Sequence, residues 1–228
     1  MSPEKRITKQ QMKEDKLVNT AFKASEYIQQ NRNIFIGGAV AIAAIIAIIY
    51  YINYSIQKKS YDAEILFGKA QLSMAMRQPA LAINQYNTII DEYESTISAD
   101  RACYNLGKVY FDQNNCDSAI FYFDKYINEY GKTARLLVAA HVGAANCFEQ
   151  QNNFEKAGDY YFSAAELSMD DDYSPGYYMA AGRAFNNAKQ FDKAQNSYQQ
   201  IVDNYNTSRF ASQAKEKLVE AKYRVQVD

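Results

Sequence analysis

The side chains best suited to chemistry are few and scattered along this sequence. His141 is the only histidine, set in the apolar run Val138-Ala139-Ala140-His141-Val142. A general base must sit within hydrogen-bond reach of a partner, and none is suggested here, so a packed imidazole is expected. Cys103, Cys116 and Cys147 are odd in number and contain no C-x-x-C, which gives neither a disulfide framework nor a zinc-ligand spacing. They are expected to be small buried hydrophobes. The run Asp170-Asp171-Asp172, ahead of Ser174-Pro175, lacks the ligand spacing and glycine of a calcium loop and reads as a solvated joint. No phosphate-cradling G-x-x-x-x-G-K-[ST], no dinucleotide glycine motif and no H-E-x-x-H occurs. No catalysis, cofactor, metal or small-molecule substrate is expected. With 25 basic and 26 acidic residues the net charge is −1, which lacks the basic excess that nucleic acid requires.

What remains to be positioned is therefore surface, and the elements that carry it are helical. Tyr (20) and Phe (12) are abundant while Pro (3) and Gly (9) are sparse, a balance suited to long packed helices. From Ile34 to Ile52 every side chain is apolar or small, and no charge occurs between Arg32 and Lys58. At 1.5 Å per residue this stretch reaches about 28 Å, close to the hydrocarbon thickness of a bilayer. Tyr50, Tyr51 and Tyr54 cluster at its far end, where amphipathic rings prefer the headgroup zone. The run is too long for a signal-peptide core, and Asn53-Tyr54-Ser55 offers no small-x-small cleavage site. A transmembrane anchor over 33–56 is expected, behind a tail (1–32) that carries Lys5, Arg6, Lys9, Lys13, Lys16, Lys23 and Arg32. Charges near the span tie across it, so the basic tail as a whole points the N-terminus to the cytoplasm and the rest outward. Leu17, Ala21, Ala24 and Ile28 fall at helical spacing, either as an amphipathic surface helix or as a solvated lead-in. Ala39, Ala43 and Ala47 form a small-residue ridge on which another membrane helix can pack.

Beyond the span the sequence repeats. Gln113–Ala119 (QNNCDSA) returns as Gln151–Ala157 (QNNFEKA), 38 positions on, and related stretches end at Ala82 and Ala194. Twelve residues before each anchor alanine stands a small residue: Ala70, Gly107, Ala145 and Gly182. Four after each stands an aromatic one: Tyr86, Phe123, Tyr161 and Tyr198. The small residue lets two helix axes approach and the ring fills the space between neighbours. Asn114-Asn115, Asn152-Asn153 and Asn186-Asn187 mark the joints, where Asn tolerates a tight turn. A pair this small cannot bury its own face, so the pairs are expected to stack into a right-handed solenoid.

Leu106-Gly107, Tyr110, Ala119 and Phe123, and again Gly182, Phe185, Ala194 and Tyr198, resemble the tetratricopeptide-repeat (TPR) motif. The resemblance covers about residues 60–208. It implies an all-α fold: four helix pairs (about 61–98, 99–135, 136–173 and 174–208), a capping helix over 209–225, and the transmembrane helix before them. The period is 37–38 rather than the family's 34. Asp91-Glu92-Tyr93, Asn128-Glu129-Tyr130 and Asp203-Asn204-Tyr205 replace the proline after the second helix, so longer second helices and joints are expected.

TPR domains grip peptides on the face of their first helices. Carried over by position, that face here comprises Phe67, Met74, Arg101, Tyr104, Lys108, Phe111, Val142, Asn146, Met179 and Arg183. Phe67 and Tyr104 have a second reading as core between repeats. The Lys/Asn/Arg set that clamps acidic chaperone tails is replaced by Phe67, Gln71, Ala139 and Gly143 at four positions, which disfavours that mode. The lining is apolar and aromatic with scattered cations, suited to extended or unfolded polypeptide.

Tail, single span and terminal TPRs together resemble the bacterial ancillary subunit family of the Sec (SecYEG) translocon, including Glu26–Arg32 (EYIQQNR) leading into a span that bears Gly37-Gly38. The repeats are also similar to those of the outer-membrane barrel-assembly lipoprotein, but no cysteine precedes Cys103 to carry a lipid. The translocon resemblance implies an inner-membrane protein with periplasmic TPRs that takes part in chaperone hand-over of exported chains. A structural scaffold of another envelope complex and a cytosol-facing membrane adaptor are the alternatives.

Overall fold

A computed structural model describes residues 9–168 and 172–227. Asp170 and Asp171, like Lys5 and Arg6, lie outside the described residues. The described chain is all-helical: α1 (Lys9–Gln30), α2 (Arg32–Ala75), α3 (Pro79–Glu92), α4 (Ile97–Asp112), α5 (Cys116–Lys125), a π turn (Tyr126–Tyr130), α6 (Ala134–Gln150), α7 (Phe154–Leu167), α8 (Ser174–Asn187), α9 (Phe191–Asn204) and α10 (Ala211–Val227). Its contacts divide into two compact units, Met1–Lys58 and Lys59–Asp228.

In the first unit, Asn31 separates α1 from α2. Its backbone N–H and its side-chain Nδ2 both donate to the Tyr27 carbonyl, at 3.1 and 3.0 Å. The opening stretch of α2 is long and apolar enough to cross a membrane, and none of it is buried by the protein itself. Ala39, Ala43 and Ala47 are exposed there.

The second unit is a stack of helix pairs in which each helix contacts chiefly its neighbours in sequence. The C-terminal part of α2 pairs with α3, then α4 with α5, α6 with α7 and α8 with α9, and α10 closes the stack. The core is made from the repeating columns: Ala70, Ala82, Ala119, Ala145, Ala157 and Ala194 are each fully buried. Space for the rings comes from residues without side chains. A Cβ added to Gly107 would lie 2.6 Å from Phe123, and one on Gly143 would lie 2.6 Å from the other edge of the same ring. Phe123 is thus held between its own pair and the next. Gly182 takes Tyr198 in the same way, and Gly158 takes Phe185 at 2.5 Å.

The joints inside each pair are also built alike. Arg77, Asn114, Asn152 and Lys189 are left-handed, with φ between 57 and 60°. The residue after each donates its N–H back five positions along the helix: Gln78 to Ser73, Asn115 to Tyr110, Asn153 to Phe148 and Gln190 to Phe185, at 2.8–2.9 Å. This Schellman arrangement satisfies a carbonyl that the helix end leaves open. Asn115 and Asn153 then cap the following helix, accepting from the N–H groups of Ser118 and Lys156. In the fourth pair the left-handed residue is Lys189, two positions beyond the expected Asn186-Asn187, because α8 runs on through Asn187.

The second helices run to 14 residues in α3, α7 and α9. In the second pair the added length is taken up instead by the π turn, which ends at left-handed Gly131. Buried Asp100 receives the turn's exit, accepting from the Lys132 N–H at 3.3 Å and the Thr133 hydroxyl at 3.4 Å.

Two substitutions of helical glycine are expected to act in opposite directions. Gly143→Val overpacks the Phe123 ring and costs about 1–3 kcal/mol. Gly68→Ala, where a Cβ meets nothing within 4 Å, gains up to about 1 kcal/mol of helix propensity. Lys189→Gly removes a left-handed side chain and is expected to gain about 1 kcal/mol. Thermal unfolding of the full chain in detergent measures all three.

Candidate protein-binding site

The first helices of the pairs carry the residues expected to meet a partner. Phe67 is not among those available, since it is 1% exposed with its ring 5.7 Å from Tyr86. It fills the gap between the first and second pairs, so it belongs to the core. Tyr104 is half-buried, 6.0 Å from Phe123 and 5.9 Å from Tyr126, and burial raises its phenol pKa. Phe111, Val142 and Met179 are half-buried flank residues packed against the core. Met74 and Lys108 come together at a depression of about 240 Å³, completed by Gln71, Tyr86, Asn105, Val109 and Asp112.

The two arginines are committed to carboxylates one pair earlier. Arg101 Nη1 lies 3.0 and 3.1 Å from the two Glu64 oxygens, with its guanidinium 4.0 Å above the Phe67 ring. Arg183 Nη2 lies 3.1 and 3.2 Å from those of Glu149. The Tyr161 hydroxyl, with its single proton, lies within hydrogen-bond distance of both Asn146 Oδ1 (2.5 Å) and Glu149 Oε2 (3.0 Å). Burial and then the Glu149 charge raise the pKa of that phenol, keeping it protonated as the donor. Glu64 and Glu149 are the members of this face that sequence reasoning missed. The available signal was their offset from Arg101 and Arg183, 37 and 34 residues, close to one repeat. With both arginines neutralised in place, the face offers shape, apolar area and Lys108 more than net charge.

Two positions explain why a tail-clamping set is foreign to this face. Gly143 faces the Phe123 ring and admits no side chain, and Phe67 is core. His141 is half-buried with its ring 5.6 Å from Tyr160, and burial lowers its pKa. Its Nδ1 has no hydrogen-bond partner among the described residues. Among the described residues, no cluster of His, Cys, Asp and Glu could hold a metal ion.

The Ser98 hydroxyl, donating at 2.7 Å, and the Arg101 guanidinium hold the Glu64 carboxyl below its usual range. The folded pKa is lowered, so this pairing stabilises fully above pH 4.5 and is lost as pH falls through the folded value. The thermal midpoint of Glu64→Gln should lie below that of the unsubstituted chain at pH 7, with the gap closing under acid. An equal gap at both pH values would remove the ion pair from the account.

The tetratricopeptide repeat-like domain family matches residues 26–225. Among solved structures, the apo form of RapI is similar over 72% of this chain, with a TM-score of 0.52 and 16% identity. This chain spans 64% of RapI's length. A Podosopora anserina kinesin light chain protein of nearly identical TPR-like repeats is similar over 72% of this chain and 86% of its own, with a TM-score of 0.50 and 10% identity. At such identities the likeness is one of fold. No curated protein matches. Helix pairs locked by rings on glycines, capped by one recurring turn and matched across residues 26–225, make this chain a member of the tetratricopeptide repeat-like domain family, whose repeats serve as protein-interaction surfaces.

Proposed function

We propose that this chain is a membrane-anchored protein-binding module whose first-helix face takes extended segments of other polypeptides. The observation that carries the reading is the character of that face. Met74, Phe111, Val142 and Met179 offer adaptable apolar area, while Arg101 and Arg183 are occupied by Glu64 and Glu149. Such a surface selects for apolar content rather than for a charged tail. The uncovered apolar stretch of α2 supports an anchor, with Ala39, Ala43 and Ala47 as packing positions for a neighbouring helix.

The finer reading places the module in a bacterial inner membrane, N-terminus cytoplasmic and repeats periplasmic, beside the Sec translocon, where it assists chaperones in receiving exported chains. It rests on the basic tail and on the tail–span–TPR order of the sequence. A scaffold role in another envelope complex is the second reading. It is favoured by Tyr61, Ile65 and Leu72, which stand exposed on α2, and by Met76 just beyond its end.

Photo-crosslinkers at Lys108, on the first-helix face, and at Phe121, exposed on α5, separate these readings. The proposal expects many emerging chains bound at 108, few at 121, and loss of the former in Met74→Glu. One stoichiometric partner favours the scaffold, and equal capture at both positions ends the first-helix assignment. Protease treatment of intact spheroplasts should remove a tag placed after Asp228. A protected tag would place the repeats in the cytosol, as an adaptor.

A further inference from the structure

Cys116 and Cys147 lie 31 residues apart in sequence, on different helix pairs, and the fold brings them together. Cys116 is the first residue of α5, directly after the capping Asn115, and it is half-buried. Its thiol donates to Gln150 Oε1 at 3.1 Å, at the end of α6. Cys147 stands one turn before Gln150 on α6 and is fully buried, and burial first, then the neighbouring Cys116, raises its thiol pKa. The neighbouring residues hold the same two helices in register, with Gln151 Nε2 donating to Asp117 Oδ1 at 2.8 Å. Cys103 is excluded from the pairing, since it is buried in α4 with its thiol turned to the Tyr122 carbonyl at 3.5 Å.

We propose that Cys116 and Cys147 form an intramolecular disulfide under oxidising conditions, a covalent staple between the second and third helix pairs. The oxidant is a small disulfide such as oxidised glutathione. Cys116, the partly accessible thiol, attacks one sulfur of that disulfide. The S–S bond breaks, one glutathione leaves as thiol with the proton from Cys116, and a mixed disulfide remains on Cys116. Cys147 then attacks the Cys116 sulfur, and the second glutathione leaves with the proton from Cys147. Two electrons and two protons pass to the oxidant and one S–S bond is gained. Burial pushes the Cys147 thiol up to about 12, so it keeps its proton near neutrality and waits for Cys116 to be activated. Such a bond persists in an oxidising compartment and is reduced in a cytosolic one, so the staple responds to the side of the membrane on which the repeats stand.

The test uses the full chain in detergent, reduced, then exposed to oxidised glutathione, quenched with N-ethylmaleimide in denaturant and weighed. The expected product carries one maleimide instead of three, and peptide mapping joins the Cys116 peptide to the Cys147 peptide of the same chain. Its thermal midpoint rises by several degrees and returns with dithiothreitol. Cys116→Ser keeps both remaining thiols free. Three free thiols after oxidation, a glutathione adduct that never closes, or a link between two chains would each overturn the proposal.

Discussion

A ring seated against a residue that has no side chain sets the distance between helices at Gly107, Gly143, Gly158 and Gly182. Phe123 touches Gly107 on one side and Gly143 on the other, so one aromatic residue fixes both the closure of its own pair and the approach of the next. Backbones can come this close only where Cβ is missing, and close approach converts two thin amphipathic helices into a packed core. Everything on the surface inherits that spacing. The reach of Arg101 to Glu64 and of Arg183 to Glu149 is a span between neighbouring pairs, and it closes at hydrogen-bond distance because the pairs stand where the rings put them.

Neutralisation of the arginines changes the chemistry of the face. Free guanidinium groups would seek carboxylates and would bind in a manner that salt weakens. Held by Glu64 and Glu149, they brace one first helix against the next and leave Met74, Val142 and Met179 to define what can dock. Methionine accepts many shapes, and a surface of that kind suits partners that share apolar content and little sequence.

Much of this was legible in the sequence, because the columns at Ala70, Gly107, Ala145 and Gly182, with their rings, encode the packing directly. The joints were legible through Asn114 and Asn152. They were obscured in the first and fourth pairs, where Arg77 and Lys189 adopt the same left-handed conformation without the residue type that announces it. Phe67 could not be assigned by position alone. A ring on the first helix of the first pair serves groove or core depending on how the second pair leans, and packing decided for the core. Cys116 and Cys147 carried no spacing signal either, since the distance that joins them is set by stacking and not by any motif.

The ties between pairs share one further property. Most of the side-chain hydrogen bonds and ion pairs among them join residues 34 to 38 positions apart, from Glu64 with Ser98 to Glu155 with Lys193, and none described reaches across the whole stack. The loops that must close are short, so the entropic barrier to each contact is small and assembly can begin at any pair and spread. During synthesis, each pair finds its partners in the segment made just before it. The domain can therefore consolidate from its N-terminal end as it emerges, one pair behind the growing chain.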